Sequence, residues 1–245
     1  MSIRIVFFSQ QCKKTQEKSN FADKNKYLTA SGKYHMFRQM TNLEIITAEL
    51  LVKAGENTKW EYSAILQSSK GPLLEVSTEK LPQRATPSDS IMAEIMQWPE
   101  VVLHHNHLSG ESLSLSDWRG TSVYFNEIYA HCNDMTSYYG KVLDKERILS
   151  LVNDTSLNLE IDAENTLFNY VKNAEVAGFF RKDVICRAFK LRGYVEYGYS
   201  WGILSADHMN VLNVNIDEIS SVGKLGRIFD PMIDMAASEF TKKNW

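Results

Sequence analysis

Three histidines fall within four residues of "VVLHHNHLSGESLSLSDW", residues 101–118, and an aspartate, Asp117, stands ten residues after the last of them. Histidine and aspartate are metal-ligand types. The apolar run Val101–Leu103 reads as a buried strand that carries on into the histidines. On a strand, residues two apart share a face, so His105 and His107 point one way and His104 and Asn106 the other. An H-x-H pair of this kind can put two imidazole nitrogens on one ion. Asp117 is the candidate third ligand, because the Ser-rich loop "LSGESLSLS", with its one glycine, is suited to curl back onto the strand. Three protein ligands leave a fourth position for water, which is how a catalytic zinc is held.

The same residues admit a plainer reading. Ser114-x-x-Asp117 is a near match to a capping box, with Ser114 as the N-cap of a helix and Asp117 at its third position. His105 and His107 would then be hydrogen-bonded strand residues with no metal between them. His104 reads as structural. His131 lies near Cys132 and Asp134, but at no known ligand spacing, and His35 and His208 are isolated.

The surrounding pattern alternates helix and strand. "IRIVFF" reads as a short strand, followed by a polar, Lys-rich arm through residue 35. Met36, Phe37, Met40, Leu43, Ile46 (or Thr47), Leu50 and Leu51 have helical spacing, with Gly55 as the expected stop. "KWEYSAILQSSKGPLLEVSTE" holds two β-prone runs around a turn and predicts a hairpin. "TPSDSIMAEIMQW" predicts a capped helix ending before Pro99. "VVLHHNH" is a strand, "SLSDWRGTSVYF" a helix, and "EIYAHC" and "YYGKVL" a second hairpin. This order predicts a mixed α/β fold with a partly antiparallel sheet. After residue 145 the pattern is mostly helical: one long helix or two over residues 164–193, an extended "GYVEYGYSWGIL", and a last helix interrupted near Pro231. The expected division is an N-terminal strand and arm (1–35), a core (36–145) and a mostly helical region (146–245) without a chemical constellation of its own.

"HNHLSGESLSLSD" resembles the signature of the JAB/MPN (JAMM) metalloproteases, H-x-H-P, a short loop, then S-x-x-D, with a glutamate well upstream. His105, His107, Ser114 and Asp117 match its positions. The form is most similar to bacterial and phage-associated members. Leu108 stands where the signature has proline, and the loop is one residue shorter than in the eukaryotic isopeptidases. The resemblance spans residues 36–145. It implies a Zn²⁺ ion on His105, His107 and Asp117, and a protein or peptide substrate cleaved at a peptide or isopeptide bond. It also implies a catalytic glutamate, for which Glu61 of "KWEYSAIL" is the candidate and Glu75 the rival. Glu61 would open the first strand of the hairpin and act as general base, then acid, while Ser114 would donate to the tetrahedral oxyanion. Some members keep the fold and lose the metal, so a catalytically inactive binding or scaffold module is the alternative.

Composition narrows the field further. A formal net charge of −3 offers no basic field for nucleic acid, so the literal string "HNH" carries no nuclease expectation. A zinc deaminase needs H-x-E and P-C-x-x-C, and neither occurs. Cys12, Cys132 and Cys186 are too scattered for a disulfide framework or a zinc ribbon. No apolar run reaches the roughly 18–20 residues of a membrane span. "IRIVFF" is too short for a signal-peptide core, so the expected location is cytoplasmic, although leaderless export leaves no trace in a sequence. Oligomeric state has no readable signature here.

Overall fold

A computed structural model describes residues 38–154, 156–202 and 222–245. The expected N-terminal strand and arm, Met36 and Phe37 lie outside the described residues, as do Cys12, His35 and His208. In chain order the elements are α1 (Asn42–Thr58), β1 (Ser63–Leu66), β2 (Leu73–Ser77), α2 (Asp89–Ile95), β3 (Val102–His107), α3 (Leu115–Val123), β4 (Glu127–Cys132), β5 (Ser137–Val142), α4 (Lys145–Asn153), α5 (Leu159–Val171), α6 (Ala174–Leu191), β6 (Val195–Ser200) and α7 (Val222–Phe240). The fold is mixed α/β, as the residue pattern predicts. Among the described residues, no helix is long and apolar enough to cross a membrane.

The strands form one sheet in the order β2-β1-β3-β4-β5-β6. Only β3 and β4 run parallel; the other neighbours are antiparallel. A parallel pair needs a crossover, which here is the loop after β3 followed by α3. The histidine strand, the serine-rich loop and Asp117 therefore all belong to one crossover unit.

Side-chain alternation sorts the sheet into two faces. Ile65, Leu103, Ile128 and Tyr138 join the larger core, which also holds buried residues of α3 to α7. Leu66, Val102, Tyr129 and Tyr139 form a smaller cluster, against which Leu43 of α1 packs. By the same parity His105 and His107 face the larger core, while His104 and Asn106 face α1. The region after residue 145 contributes β6 to the sheet and its helices to the larger core. Strand β6 pairs along β5, and its Tyr197 and Tyr199 are buried, so the aromatic run is a core strand.

Several boundaries differ from the sequence expectation for identifiable reasons. Helix α1 runs past Gly55 and ends at Thr58, where Lys59 adopts the left-handed conformation (φ 62°). Gly55 is there for space, because a Cβ at that position would run into the Asn106 side chain. The stretch after residue 158 is two helices, α5 and α6, broken at Lys172 (φ 51°) and recapped by Asn173, whose side chain accepts from the Val176 N–H. Pro231 does not interrupt α7. Residues on both sides of it, including Leu225, Ile233 and Phe240, are buried in the core, and that packing carries the helix through the missing N–H. Glu61 does not open a strand, since β1 begins at Ser63.

Asn106 explains that last difference. Its Oδ1 accepts from the Tyr62 N–H at 2.6 Å, and its Nδ2 donates to the Trp60 carbonyl at 3.3 Å. Its own N–H donates to the Tyr62 carbonyl at 3.2 Å. A side-chain amide thus takes over from the β-ladder just ahead of β1 and fixes the peptide groups on both sides of Glu61. Asn106 is fully buried. Replacing it with alanine strands a carbonyl and an N–H together. The Asn106→Ala variant is expected to lose about 2–3 kcal/mol of stability, read from a lower urea midpoint at an unchanged slope. A loss below about 0.5 kcal/mol would show that the amide does not hold this turn.

Candidate metal centre

The end of β3 and the start of α3 bring three ligand-type side chains together. His105 Nε2 lies 2.7 Å from His107 Nε2, 3.5 Å from Asp117 Oδ1 is the former, and 3.8 Å from Asp117 Oδ2 is the latter. One ligand atom from each residue falls within 4.8 Å of the others, so the His105–His107–Asp117 group could hold a metal ion. It is the one group of this kind among the described residues. A tetrahedral ion with bonds of about 2.0–2.1 Å holds its ligand atoms roughly 3.3 Å apart, close to the 3.5 Å between His105 Nε2 and Asp117 Oδ1 and wider than the 2.7 Å between the two imidazole nitrogens. The pair of imidazoles has to open for an ion to enter.

The partners of His107 and Asp117 aim their lone pairs inward. His107 Nδ1 sits 2.8 Å from the Glu111 carbonyl, which fixes Nδ1–H as a donor and leaves Nε2 as a lone pair. Asp117 Oδ2 accepts from the Ser114 N–H at 2.6 Å and from its hydroxyl at 2.7 Å, leaving Oδ1 on the side of His105. His105 Nδ1 is buried with only a marginal backbone interaction at Tyr129. Burial and the neighbouring His107 push the His105 imidazolium down to about 3, so the ring is neutral, as a ligand must be. Burial pushes the Asp117 carboxyl up, but His105, His107 and the Ser114 hydrogen bonds outweigh it and hold the group below its ordinary value. The N-terminus of α3 favours the same charge. His107 Nε2 and Asp117 Oδ1 present lone pairs here, and His105 Nε2 does so in its Nδ1–H tautomer, a donor set that could hold a cation.

The capping reading of Ser114 and Asp117 holds as well. Both halves of the box are present, with Asp117 N–H donating to Ser114 Oγ at 3.2 Å. Capping and ligation use different oxygens of one carboxylate and do not compete. The Ser114 hydroxyl proton is committed to Asp117, so as arranged it orients that carboxylate and is not free to donate to a substrate oxyanion.

Glu61 lies beside this group. Burial pushes its carboxyl up to about 7, with Asp117 acting in the same sense and His107, Lys182 and a hydrogen bond from the Leu108 backbone opposing. Leu108 stands where the resembled signature has proline, which has no N–H to give. Glu75, the rival, is elsewhere: it accepts from the Ser88 N–H at 2.8 Å and from the Ser88 hydroxyl at the cap of α2.

The loop from Leu108 to Leu113 is pinned by distant residues. Gly110 turns it with φ 75°, and its carbonyl accepts from Tyr138 OH at 3.1 Å. The Glu111 carboxylate meets Arg181 and Lys182 of α6, and Ser112 Oγ lies 2.7 Å from Tyr197 OH of β6. Next to Asp117, fully buried Trp118 donates its indole N–H to Cys186 Sγ of α6 at 3.3 Å. Sequence reasoning missed Asn106, Glu111, Arg181 and Lys182. Their partners lie about 45 to 70 positions away, beyond the reach of periodicity or short motifs.

His104 and His131 belong to the opposite face. His104 Nδ1 lies 3.0 Å from His131 Nε2, and its Nε2 lies 3.6 Å from Glu44 Oε1 of α1. Glu44 is paired with Arg38 through both oxygens, and Arg38 also holds Glu127. Burial drives both imidazoles down to the neutral form. No second ligand group forms around His131, Cys132 and Asp134 among the described residues.

Comparison with family models, with curated proteins and with solved structures returns no match for this chain. The geometry therefore has to be tested directly. Purified protein reconstituted with zinc is expected to carry about one ion per chain by elemental mass spectrometry, and His107→Ala and Asp117→Ala are expected to lose it, because two remaining ligands do not make a stable site. Equal metal content in parent and variants would remove the assignment.

Proposed function

We propose that the protein is a zinc-dependent hydrolase that cleaves a peptide or isopeptide bond in a protein or peptide substrate. The observation that carries this reading is the placement of Glu61, a buried carboxyl brought to about 7, beside the His105–His107–Asp117 group. The likeness of "HNHLSGESLSLSD" to the JAB/MPN signature supports the same chemistry, with Glu61 as its upstream glutamate. Zinc held by these ligands would polarise a scissile carbonyl and bring the pKa of a water close to 7.

The remaining roles fall to the chain. Glu61 removes a proton from the attacking water and returns it to the leaving nitrogen, so it must be ionised at the first step and protonated at the second. A carboxyl near 7 can do both at neutral pH. Asn106 holds the backbone on each side of Glu61, and Ser114 holds Asp117. His107 is oriented by the Glu111 carbonyl.

Zinc-loaded protein should be screened against fluorogenic α-linked peptides and lysine ε-linked isopeptides. Hydrolysis of one class is expected, lost with a chelator and reduced about 10²–10⁴-fold in Glu61→Gln at unchanged zinc content. Its rate should rise with pH as Glu61 ionises; a bound cation favours the carboxylate, so the midpoint lies at or below about 7. Zinc-loaded protein inactive on both classes, or activity that survives Glu61→Gln, would overturn the proposal. The metal-free protein gives an independent check. Because the folded carboxyl is raised above its ordinary 4.5, the folded chain holds the extra proton between those values and stability falls as pH climbs through that window. Glu61→Gln escapes this loss and should be more stable than the parent at pH 8, by up to about 3 kcal/mol.

A further inference from the structure

Glu111 faces two ways. Its backbone carbonyl takes the hydrogen bond at His107 Nδ1, 2.8 Å away. Its carboxylate is gripped from α6, by Arg181 Nη1 at 2.9 Å and Lys182 Nζ at 2.7 Å. Arg181 is itself held by Glu160 Oε2 at 2.8 Å, so the grip is braced on α5. These side chains are largely withdrawn from water: Glu111 and Lys182 are each 18% exposed and Arg181 24%. Ion pairs so placed are screened less than surface pairs.

The carbonyl needs this help. It belongs to a loop without regular structure that turns at Gly110. A hydrogen bond at the far nitrogen of a ligating histidine sets the ring's orientation, tautomer and basicity, but only as well as the acceptor is itself fixed. The residues on either side, Gly110 and Ser112, are anchored separately through Tyr138 and Tyr197, so the loop keeps two tethers when the ion pairs are cut.

We infer that Glu111 is a positioning residue for the metal centre: its ion pairs with Arg181 and Lys182 hold its carbonyl at His107 and so set the affinity and ligand field of the bound ion. The inference rests on the metal-centre reading and assigns the C-terminal helices a share in it.

The test uses the full chain and two probes, Zn²⁺ in competition with a chromogenic chelator and the visible absorption of Co²⁺. Glu111→Gln keeps the carbonyl and removes the charge. It is expected to weaken Zn²⁺ binding about 10–100-fold and to shift the Co²⁺ bands, while the Tm of the metal-free protein moves by only a few degrees. Lys182→Gln and Arg181→Gln should each weaken binding by less, and the Glu111→Gln/Lys182→Gln double variant should bind no more weakly than Glu111→Gln alone, because one interaction is being removed. Glu111→Gln with parental Zn²⁺ affinity and unchanged Co²⁺ bands overturns the inference, as does a large drop in Tm with an unchanged spectrum, which marks a purely structural pair. A parent that binds neither ion overturns the metal-centre reading and this inference together; that failure is distinct, because in the others the parent still binds.

Discussion

Strand β3 buries four consecutive polar side chains, His104 to His107, inside a sheet covered on both faces. A buried polar group is costly unless it is partnered, so each of the four dictates a neighbour. Asn106 requires the backbone of residues 60 and 62. His104 requires His131 and the side of α1 that carries Glu44. His105 and His107 require the start of α3. A helix, a turn and a crossover are thus placed by the demands of one strand, and alternation decides which demand falls on which face.

The two faces meet that demand with opposite charge balance. On the α1 face a buried carboxylate, Glu44, lies against an imidazole, and Arg38 supplies the compensating cation through both carboxylate oxygens. Burial raises the Glu44 carboxyl, but Arg38 and His104 more than offset it and hold the group down to about 2. On the other face a carboxylate, Asp117, also lies against imidazoles, yet among the described residues no arginine or lysine pairs with it. The cations on that side, Arg181 and Lys182, are engaged by Glu111 and Glu160. On one face the buried carboxylate has its cation, and on the other, among the described residues, it has none. That contrast within one strand separates a buried ion pair from a candidate ligand set more sharply than the residue types do.

Sequence reading reaches the parts of this arrangement that depend on local rules. Two-residue alternation separates His105 and His107 from His104 and Asn106. The Ser114-x-x-Asp117 spacing marks both the start of α3 and the candidate third ligand; the cap is present, and Asp117 falls in a group with His105 and His107 that could hold a metal ion. What it misses depends on packing between distant segments. Gly55 looks like a helix stop and serves instead to admit Asn106. Glu61 looks like a strand residue, but a side-chain amide has replaced the ladder there. Pro231 looks like a break and is carried by an apolar stripe on both sides. Each error has one source: a tertiary contact outweighs a local propensity of about one to three kcal/mol.

The candidate centre is held by residues well beyond it in the chain. Glu61 and the three candidate ligands lie between residues 61 and 117, but what holds them does not. The ligand loop is tied to α6 at Glu111 and to β6 at Ser112. Tyr197, which meets Ser112, donates in turn to Asp183, and Asp183 pairs with Arg187, which also reaches Asp230 and Asp234 of α7. A continuous line of hydrogen bonds thus runs from the loop to the last helix. Buried networks of this kind are favourable only when fully satisfied, so they admit few alternative arrangements of the segments they join. The helices after residue 145 are therefore joined to the loop between His107 and Asp117, and hold it where it lies against the candidate site.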